Sequence, residues 1–228
     1  MGNIANTIDK LNRELPATTR LVAVSKFHPF NSIEEAYGAG QRVFAESRPQ
    51  ELLAKVRILE DIRADRPDYM SDIEWHFIGH LQTNKLKMVL PYVSLVQSVD
   101  SVRLLDAIQS WAAENSRIIN VLLEPHVAAE DTKQGFTEED IYSVLGQEYP
   151  NIRFCGIMGM ATFTDDESVI SSDFAAIRSI FETCLSRYPH LLPDFKELSI
   201  GMSDDYPLAI TYGSTMVRIG SMIFGKRV

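Results

Sequence analysis

Gly213-Ser-Thr-Met-Val-Arg-Ile-Gly-Ser-Met-Ile-Phe-Gly225 combines a short β-strand with a glycine turn, in a chain of 228 residues. The strand is apolar except for Arg218, and Gly220-Ser221 follows it. Glycine allows close approach of the backbone to a ligand, and successive N–H groups in such a turn bind anions. The stretch therefore predicts a phosphate site at the end of a buried strand.

A lone lysine, Lys26, ends the first buried strand, Leu21-Val-Ala-Val-Ser-Lys26. A desolvated lysine amine loses its proton more readily and becomes a nucleophile. A lysine at a strand end is, by itself, more often a solvent-exposed charge. Together with the phosphate turn, however, Lys26 indicates an aldehyde cofactor that carries a phosphate group.

Eight segments rich in β-formers recur along the chain with helical patterns between them. They are residues 21–25, 42–45, 73–78, 93–99, 118–123, 153–160, 197–200 and 215–219. Near-continuous apolar runs that alternate with helices indicate parallel strands buried on both faces. Eight such units predict an α/β fold, a single (β/α)8 TIM barrel that spans residues 1–228 as one domain.

Helix-start patterns support this alternation. The capping-box pattern predicts helix starts at Ser32–Glu35, Thr137–Asp140 and Ser203–Tyr206. Ile4–Leu15 carries apolar residues at helical spacing, and we expect this helix to close the bottom of the barrel.

Composition excludes several classes of partner. The net charge is −9, and no segment concentrates basic residues with interleaved aromatics, so we expect no nucleic-acid partner. No apolar run approaches the roughly 18 residues of a membrane span, so we expect no membrane association. Cys155 and Cys184 lack CxxC spacing, and we find no secretory leader. These features favour a soluble protein in the cytoplasm.

The reactive face of a (β/α)8 barrel lies at the carboxyl ends of its strands, and loops after strands seven and eight commonly bind phosphate. The seventh strand ends in Gly201-Met-Ser203-Asp204 and the eighth in Gly220-Ser221. We expect these two turns to hold one phosphate. Closure of the barrel makes strand one the neighbour of strand eight, which brings Lys26 to the same mouth.

Strand alternation places Arg218 on the face of Met216, opposite Val217 and Ile219. If that face is the lumen, the guanidinium needs an acceptor, because a bare buried charge is costly. A carboxylate is one candidate, from Glu46 or Asp204. An unprotonated pyridine nitrogen, as in pyridoxal phosphate, is the other, and an arginine there weakens the ring as an electron sink.

These strings, in this order, resemble the pyridoxal phosphate homeostasis protein family, which is related to the alanine racemase N-terminal barrel. The matching strings are AVSK at 23–26, AGQRVFAESRPQE at 39–51, WHFIGHLQTNK at 75–85, EDTKQGF at 130–136, GIMGMAT at 156–162, and GMSDD with AITYGSTMVRIGSMIFG within 201–225. The resemblance implies an alanine racemase N-terminal-like barrel of fold type III that holds pyridoxal 5′-phosphate as a Schiff base on Lys26. The resemblance assigns Ser203, Thr215, Gly220 and Ser221 to the phosphate. It assigns Arg218 to the pyridine ring.

The chain departs from the family after strand two, where the family often has Gly-Glu-Asn-Tyr and this sequence has Ala45-Glu46-Ser47-Arg48. The role of that asparagine is therefore not transferred to Ser47. His76 and His80 resemble a helical metal pair, but they fall on a strand and beyond Gly79, so we expect no metal site.

Three functions fit this resemblance and these residues. The first is a non-enzymatic protein of pyridoxal phosphate homeostasis that sequesters the cofactor and delivers it. The second is a weakly active amino-acid racemase, and the third is a Schiff-base aldolase acting on a sugar phosphate. Arg218 disfavours the aldolase, because it would leave an uncommitted cation in a carbonyl pocket.

Racemases of the related fold carry a C-terminal β-domain that supplies a second acid/base, and this sequence, which stops at Val228, is expected to lack it. We therefore expect a cofactor carrier with no catalytic residues. Its expected partners are free amino acids and apo-enzymes that use the cofactor, and we expect a monomer.

Overall fold

The computed structural model describes residues 3–127, 135–191 and 193–225. Its strands run parallel in sequence order and close into a barrel, since the first strand also pairs with the eighth. The strands are β1 (Arg20–Val24), β2 (Val43–Glu46), β3 (Glu74–Phe77), β4 (Leu95–Val99), β5 (Ile119–Leu123), β6 (Ile152–Met158), β7 (Glu197–Ser199) and β8 (Met216–Ile219). All eight predicted strands are confirmed, each within two residues at its ends.

Helices surround the barrel between successive strands. The described α-helices are α1 (Asn3–Glu14), α2 (Phe30–Gly38), α3 (Pro49–Asp65), α4 (Leu86–Val89), α5 (Val102–Glu114), α6 (Glu138–Leu145), α7 (Glu167–Arg187), α8 (Tyr206–Thr211) and α9 (Ser221–Phe224). In the part of the chain that the structure describes, none of these helices is long and apolar enough to cross a membrane.

Only one of the three predicted helix starts is confirmed. Thr137 caps α6, and its side chain accepts a hydrogen bond from the backbone N–H three residues later. The start at Ser32 is wrong, because α2 already begins after Pro29 and includes the serine. The start at Ser203 is also wrong, because α8 begins after Asp205 and the serine lies in the preceding turn.

Helix α1 does not close the bottom of the barrel, so that prediction is wrong. Its buried residues, Ile8 and Leu11, belong to the hydrophobic layer between the barrel and the helices. The helix packs against α2 and α9. Its apolar stripe therefore has a partner in the outer helical layer.

The strands bury two separate apolar layers. Val217 and Ile219 belong to the outer layer, under the helices. The inner layer fills the lumen and consists of Val22, Val24, Val43, Ala45, Leu95, Leu122, Met158 and Met216. Since side chains alternate along a strand, Arg218 shares the inner face with Met216. The face that carries Arg218 is therefore the lumen, which is the condition under which its guanidinium needs an acceptor.

Candidate functional site

A cavity of about 900 Å³ opens at the carboxyl ends of the strands. This volume lies in the range of small-molecule sites, roughly 300–1,000 Å³. The cavity brings together five of the residues predicted from the sequence, namely Lys26, Ser203, Arg218, Gly220 and Ser221. The carboxyl ends of β1, β7 and β8 therefore converge on one site.

The structure does not bring Thr215 to this cavity. Thr215 precedes β8, whereas Gly220 follows it, and a strand rises roughly 3.3 Å per residue. Its hydroxyl donates to Glu197 Oε2 at 2.8 Å and accepts from the backbone N–H of Leu198 at 2.9 Å. Thr215 thus joins β7 to β8 at the amino end of the barrel, and we leave it out of the proposed site.

The turn after Lys26 has an unusual backbone conformation that α3 holds in place. Phe27 has a φ of +67°, a left-handed conformation that costs a non-glycine residue about 1–3 kcal/mol. Its N–H donates to Glu51 Oε2 at 2.8 Å, and the Arg48 guanidinium lies 4.4 Å from its ring centroid. Both partners lie at the start of α3, so this helix fixes the direction in which the lysine leaves its strand.

A buried ion pair lies directly behind Lys26. Lys55 Nζ, on α3, is 2.5 Å from Glu46 Oε1 and donates to the carbonyl oxygen of Ser25 at 2.8 Å. The Ser25 hydroxyl donates to the same carboxylate at 2.6 Å. Burial raises the pKa of the Glu46 carboxyl, and the Lys55 charge opposes this shift. Glu46 therefore faces α3 and not the lumen.

The turn after β8 approaches β1 closely. A Cβ on Gly220 would stand 3.1 Å from the Val24 carbonyl oxygen, so a side chain here requires the neighbouring strand to shift. Ser221 begins α9 immediately after this glycine. The first N–H groups of a helical turn have no acceptor within it, and Ser221, the first residue of α9, lines the adjoining cavity.

Arg218 is almost fully buried, and its hydrogen bonds go to uncharged groups. Nη1 donates to Ser199 O at 2.6 Å and to Ser199 Oγ at 2.8 Å, while Nη2 donates to Gly159 O at 2.9 Å. Burial lowers the pKa of this guanidinium to about 10, which leaves it protonated at neutral pH. Among the described residues no carboxylate forms an ion pair with it, so the alternative of a pair with Glu46 or Asp204 is not observed.

Two of the five N–H groups of the Arg218 guanidinium, on Nη2 and Nε, make no hydrogen bond to the described residues, and Arg218 lines the cavity. Only an atom with a free lone pair can accept them. Any ligand that reaches the bottom of the cavity must therefore present a hydrogen-bond acceptor to Arg218.

The sequence analysis missed Glu124, which follows β5 and approaches the same guanidinium. Burial raises its pKa to about 7, and the charge of Arg218 opposes that shift. The position of Glu124 could have been predicted from the sequence, because side-chain alternation from Leu122 places it on the inner face at the carboxyl end of a barrel strand.

The two histidines of the WHFIGH string occupy different surroundings. His76 is buried in the lumen, whereas His80 is half exposed and its Nδ1 lies 2.8 Å from Asp100 Oδ2. The described residues contain no cluster of three or more His, Cys, Asp or Glu side chains placed to hold a metal ion. Lys133 and most of the EDTKQGF string lie outside the described residues.

Comparison with known proteins gives a consistent assignment. The model of the alanine racemase N-terminal domain matches residues 1–228. The pyridoxal phosphate homeostasis protein of Aquifex aeolicus is 36% identical over 210 residues, which cover 91% of this chain and 87% of that protein. The human protein of the same name is 38% identical over 237 residues, covering 98% of this chain and 82% of its own length.

Solved structures agree with these relatives. PipY of Synechococcus elongatus superposes with a TM-score of 0.87 without pyridoxal phosphate, at 33% identity, and 0.82 with it bound, at 31% identity. Both comparisons cover 97% of this chain and all of PipY. Alanine racemase from E. faecalis has a TM-score of 0.64 at 17% identity, covering 98% of this chain and 58% of that enzyme, which shows a shared fold alone.

Proposed function

Since this chain belongs to the alanine racemase N-terminal domain family and, within it, to the pyridoxal phosphate homeostasis proteins, we propose that it binds pyridoxal 5′-phosphate and acts in the homeostasis of that cofactor. It sequesters the cofactor and delivers it, without efficient catalysis. The observation that carries this proposal is one cavity lined by a strand-end lysine, an anion-binding turn and a donor-only arginine.

The residues of the cavity fit each part of pyridoxal phosphate. The cofactor supplies an aldehyde, which a lysine amine attacks to form a Schiff base, and Lys26 is the lysine in place. The Ser203 hydroxyl and the Gly220-Ser221 turn would hold the phosphate. The N–H groups left on Arg218 would meet the pyridine nitrogen and keep it unprotonated.

This arrangement favours storage over turnover. An arginine at the pyridine nitrogen prevents its protonation and so makes the ring a weaker electron sink than a carboxylate partner does. The relatives that match most of the chain are named as homeostasis proteins and not as enzymes. We infer that amino acids exchange onto the bound cofactor and that apo-enzymes receive it.

We further propose that the chain is one domain and acts as a cytoplasmic monomer. Cys155 and Cys184 are both free thiols, as a reducing compartment requires. Light scattering coupled to size-exclusion chromatography tests the oligomeric state, and a mass of twice the chain would contradict the monomer.

Borohydride trapping tests the assignment of Lys26. The protein loaded with pyridoxal phosphate is reduced and digested, and we expect the added mass on the Lys26 peptide. Lys26→Ala should lose the Schiff-base absorbance. Lys85→Ala should retain it, because Lys85 lies outside the cavity lining. Added mass on Lys85 or Lys133, with Lys26 unmodified in the wild type, would overturn the assignment.

A transfer assay tests the function itself. Loaded protein mixed with an apo-enzyme should restore that enzyme's activity, while amino acids alone should change the spectrum without being consumed. A turnover number in the ordinary enzyme range, roughly 1–10³ s⁻¹, for any amino acid would favour a racemase instead.

A further inference from the structure

A chain of buried hydrogen bonds crosses the barrel lumen and ends on Arg218. Arg218 Nη1 donates to Ser199 Oγ at 2.8 Å, and that hydroxyl donates to Gln97 Oε1 at 2.7 Å. Gln97 Nε2 in turn lies 2.8 Å from His76 Nδ1. All four side chains are buried, and the chain runs from β8 through β7 and β4 to β3.

The chemistry of the arginine fixes the direction of every bond in this chain. A guanidinium only donates, so Ser199 Oγ must accept from it and has one proton left to give. The acceptor of that proton must be the Gln97 carbonyl oxygen, which turns the amide nitrogen toward His76. Nδ1 of His76 then accepts, and the proton of this ring lies on Nε2.

The histidine can hold this role over a wide pH range. Burial is the main reason that the pKa of His76 is lowered to about 3, so the ring stays neutral and its Nδ1 stays an acceptor. None of the four side chains in this hydrogen-bond chain is a carboxylate. Arg218 stays protonated at neutral pH, because burial lowers its pKa only to about 10.

A purely structural lumen would not need these polar groups. Barrel interiors are usually filled by bulky apolar side chains, and Val22, Val43 and Leu95 occupy such inner positions here. Buried polar groups are costly unless each of them is hydrogen-bonded, and a fully satisfied network makes the surrounding structure rigid. Four such groups lie together beneath the cavity, which indicates that they orient the Arg218 guanidinium.

We propose that Gln97 is a positioning residue, which acts through Ser199 to aim the free N–H groups of Arg218 at the pyridine nitrogen of the cofactor. This inference rests on the proposed function, since it requires pyridoxal phosphate in the cavity. It assigns Gln97 a part in selecting a ring with an unprotonated acceptor nitrogen.

The test compares the affinity for pyridoxal phosphate with that for its deaza analogue, in which C–H replaces the ring nitrogen. The wild type should prefer pyridoxal phosphate. Gln97→Leu should reduce this preference about ten-fold, the scale of one misplaced hydrogen bond to a charged donor. Ser199→Ala deletes the hydroxyl through which Gln97 acts, so it should reduce the preference at least as much, although Nη1 keeps the Ser199 carbonyl.

Two further variants separate positioning from packing. Gln97→Glu should keep the preference while its buried carboxyl is protonated, because one oxygen then accepts from Ser199 and the O–H donates to His76 Nδ1. Val43→Ala changes the same inner layer at a position that pairs with Glu74 and not with a member of the hydrogen-bond chain, and it should weaken both ligands equally. Circular dichroism and thermal unfolding establish that each variant is folded.

The outcomes distinguish the inference from the function on which it rests. Equal loss of both ligands in Gln97→Leu and Ser199→Ala would overturn the positioning role alone. A wild type that binds both ligands equally would also overturn it. A wild type that binds neither ligand would overturn the proposed function together with the inference.

Discussion

Lys55 Nζ lies 2.8 Å from the carbonyl oxygen of Ser25, the residue immediately before the proposed Schiff-base lysine. The same ammonium is 2.5 Å from Glu46 Oε1, and the second oxygen of this carboxylate is buried with no hydrogen-bond partner among the described residues. A cation on α3 therefore holds both the backbone of β1 and a buried charge on β2. The position of Lys26 depends on an ion pair outside the cavity.

Lys55→Met should strongly destabilise the protein, because it leaves the Glu46 carboxylate buried without its counter-charge. Breaking a buried pair in this way typically costs about 3–5 kcal/mol. Urea unfolding measures the loss. Lys10→Met is the matched control, because Lys10 pairs with Glu14 on an exposed face of α1 and should contribute no more than about 0.5 kcal/mol.

The double variant Lys55→Met/Glu46→Leu checks the cause of that loss. It removes both charges, so it should recover part of the stability lost in the single variant. A double variant that is no more stable than Lys55→Met would show that the ion pair is not the reason.

Gly220→Ala should weaken pyridoxal phosphate binding several-fold. Its new Cβ would stand 3.1 Å from the Val24 carbonyl oxygen, and the turn must move away from β1 to accept it. Gly38→Ala is the control, since a Cβ there meets nothing within 4 Å. Fluorescence titration measures both affinities, and an unchanged affinity in Gly220→Ala would place the phosphate elsewhere.

Ser203→Ala should weaken pyridoxal phosphate binding by about 1–3 kcal/mol, the scale of one hydrogen bond to an ionised acceptor. Binding of pyridoxal, which lacks the phosphate, should not change. Thr215→Val serves as the control, because the Thr215 hydroxyl bonds Glu197 and Leu198 and not the cavity. If Thr215→Val lost phosphate affinity instead, the assignment of the two residues would be reversed.

The strands were predictable because each is a short apolar run that the barrel buries on both faces. The five cavity residues followed from the rule that barrel strands present chemistry at their carboxyl ends. Thr215 was included because the matching string covers both ends of β8, and a motif by itself does not state which end meets the ligand. Strand direction separates Thr215 from Gly220.

The contacts that support the site were not predictable from local patterns. Ser199 and Gln97 are 102 residues apart in the chain, and only closure of the barrel brings them to 2.7 Å. Lys55 lies in an amphipathic helix, where a lysine normally faces solvent. Its burial against Glu46 is a tertiary contact that no spacing rule within α3 reveals.

Glu124 and His76 should impose opposite pH dependences on stability. The pKa of Glu124 is raised to about 7, so its folded form holds a proton that the unfolded chain releases above about pH 4.5, and stability falls from there to pH 7. The pKa of His76 is lowered to about 3, so the unfolded chain binds a proton below about pH 6.5 that the folded form refuses. Stability from this group rises between pH 3 and 6.5.

Glu124→Gln should therefore reveal the contribution of His76 to the pH dependence of stability. Between pH 4.5 and 6.5 the two slopes have equal size and opposite sign, so they cancel in the wild type. The variant should gain stability relative to the wild type by about 1.4 kcal/mol per pH unit across that range, the value for one proton. Urea unfolding at half-unit steps of pH measures the difference. Glu114→Gln, on the exposed end of α5, should run parallel to the wild type, and a parallel curve for Glu124→Gln would show that this carboxyl titrates normally.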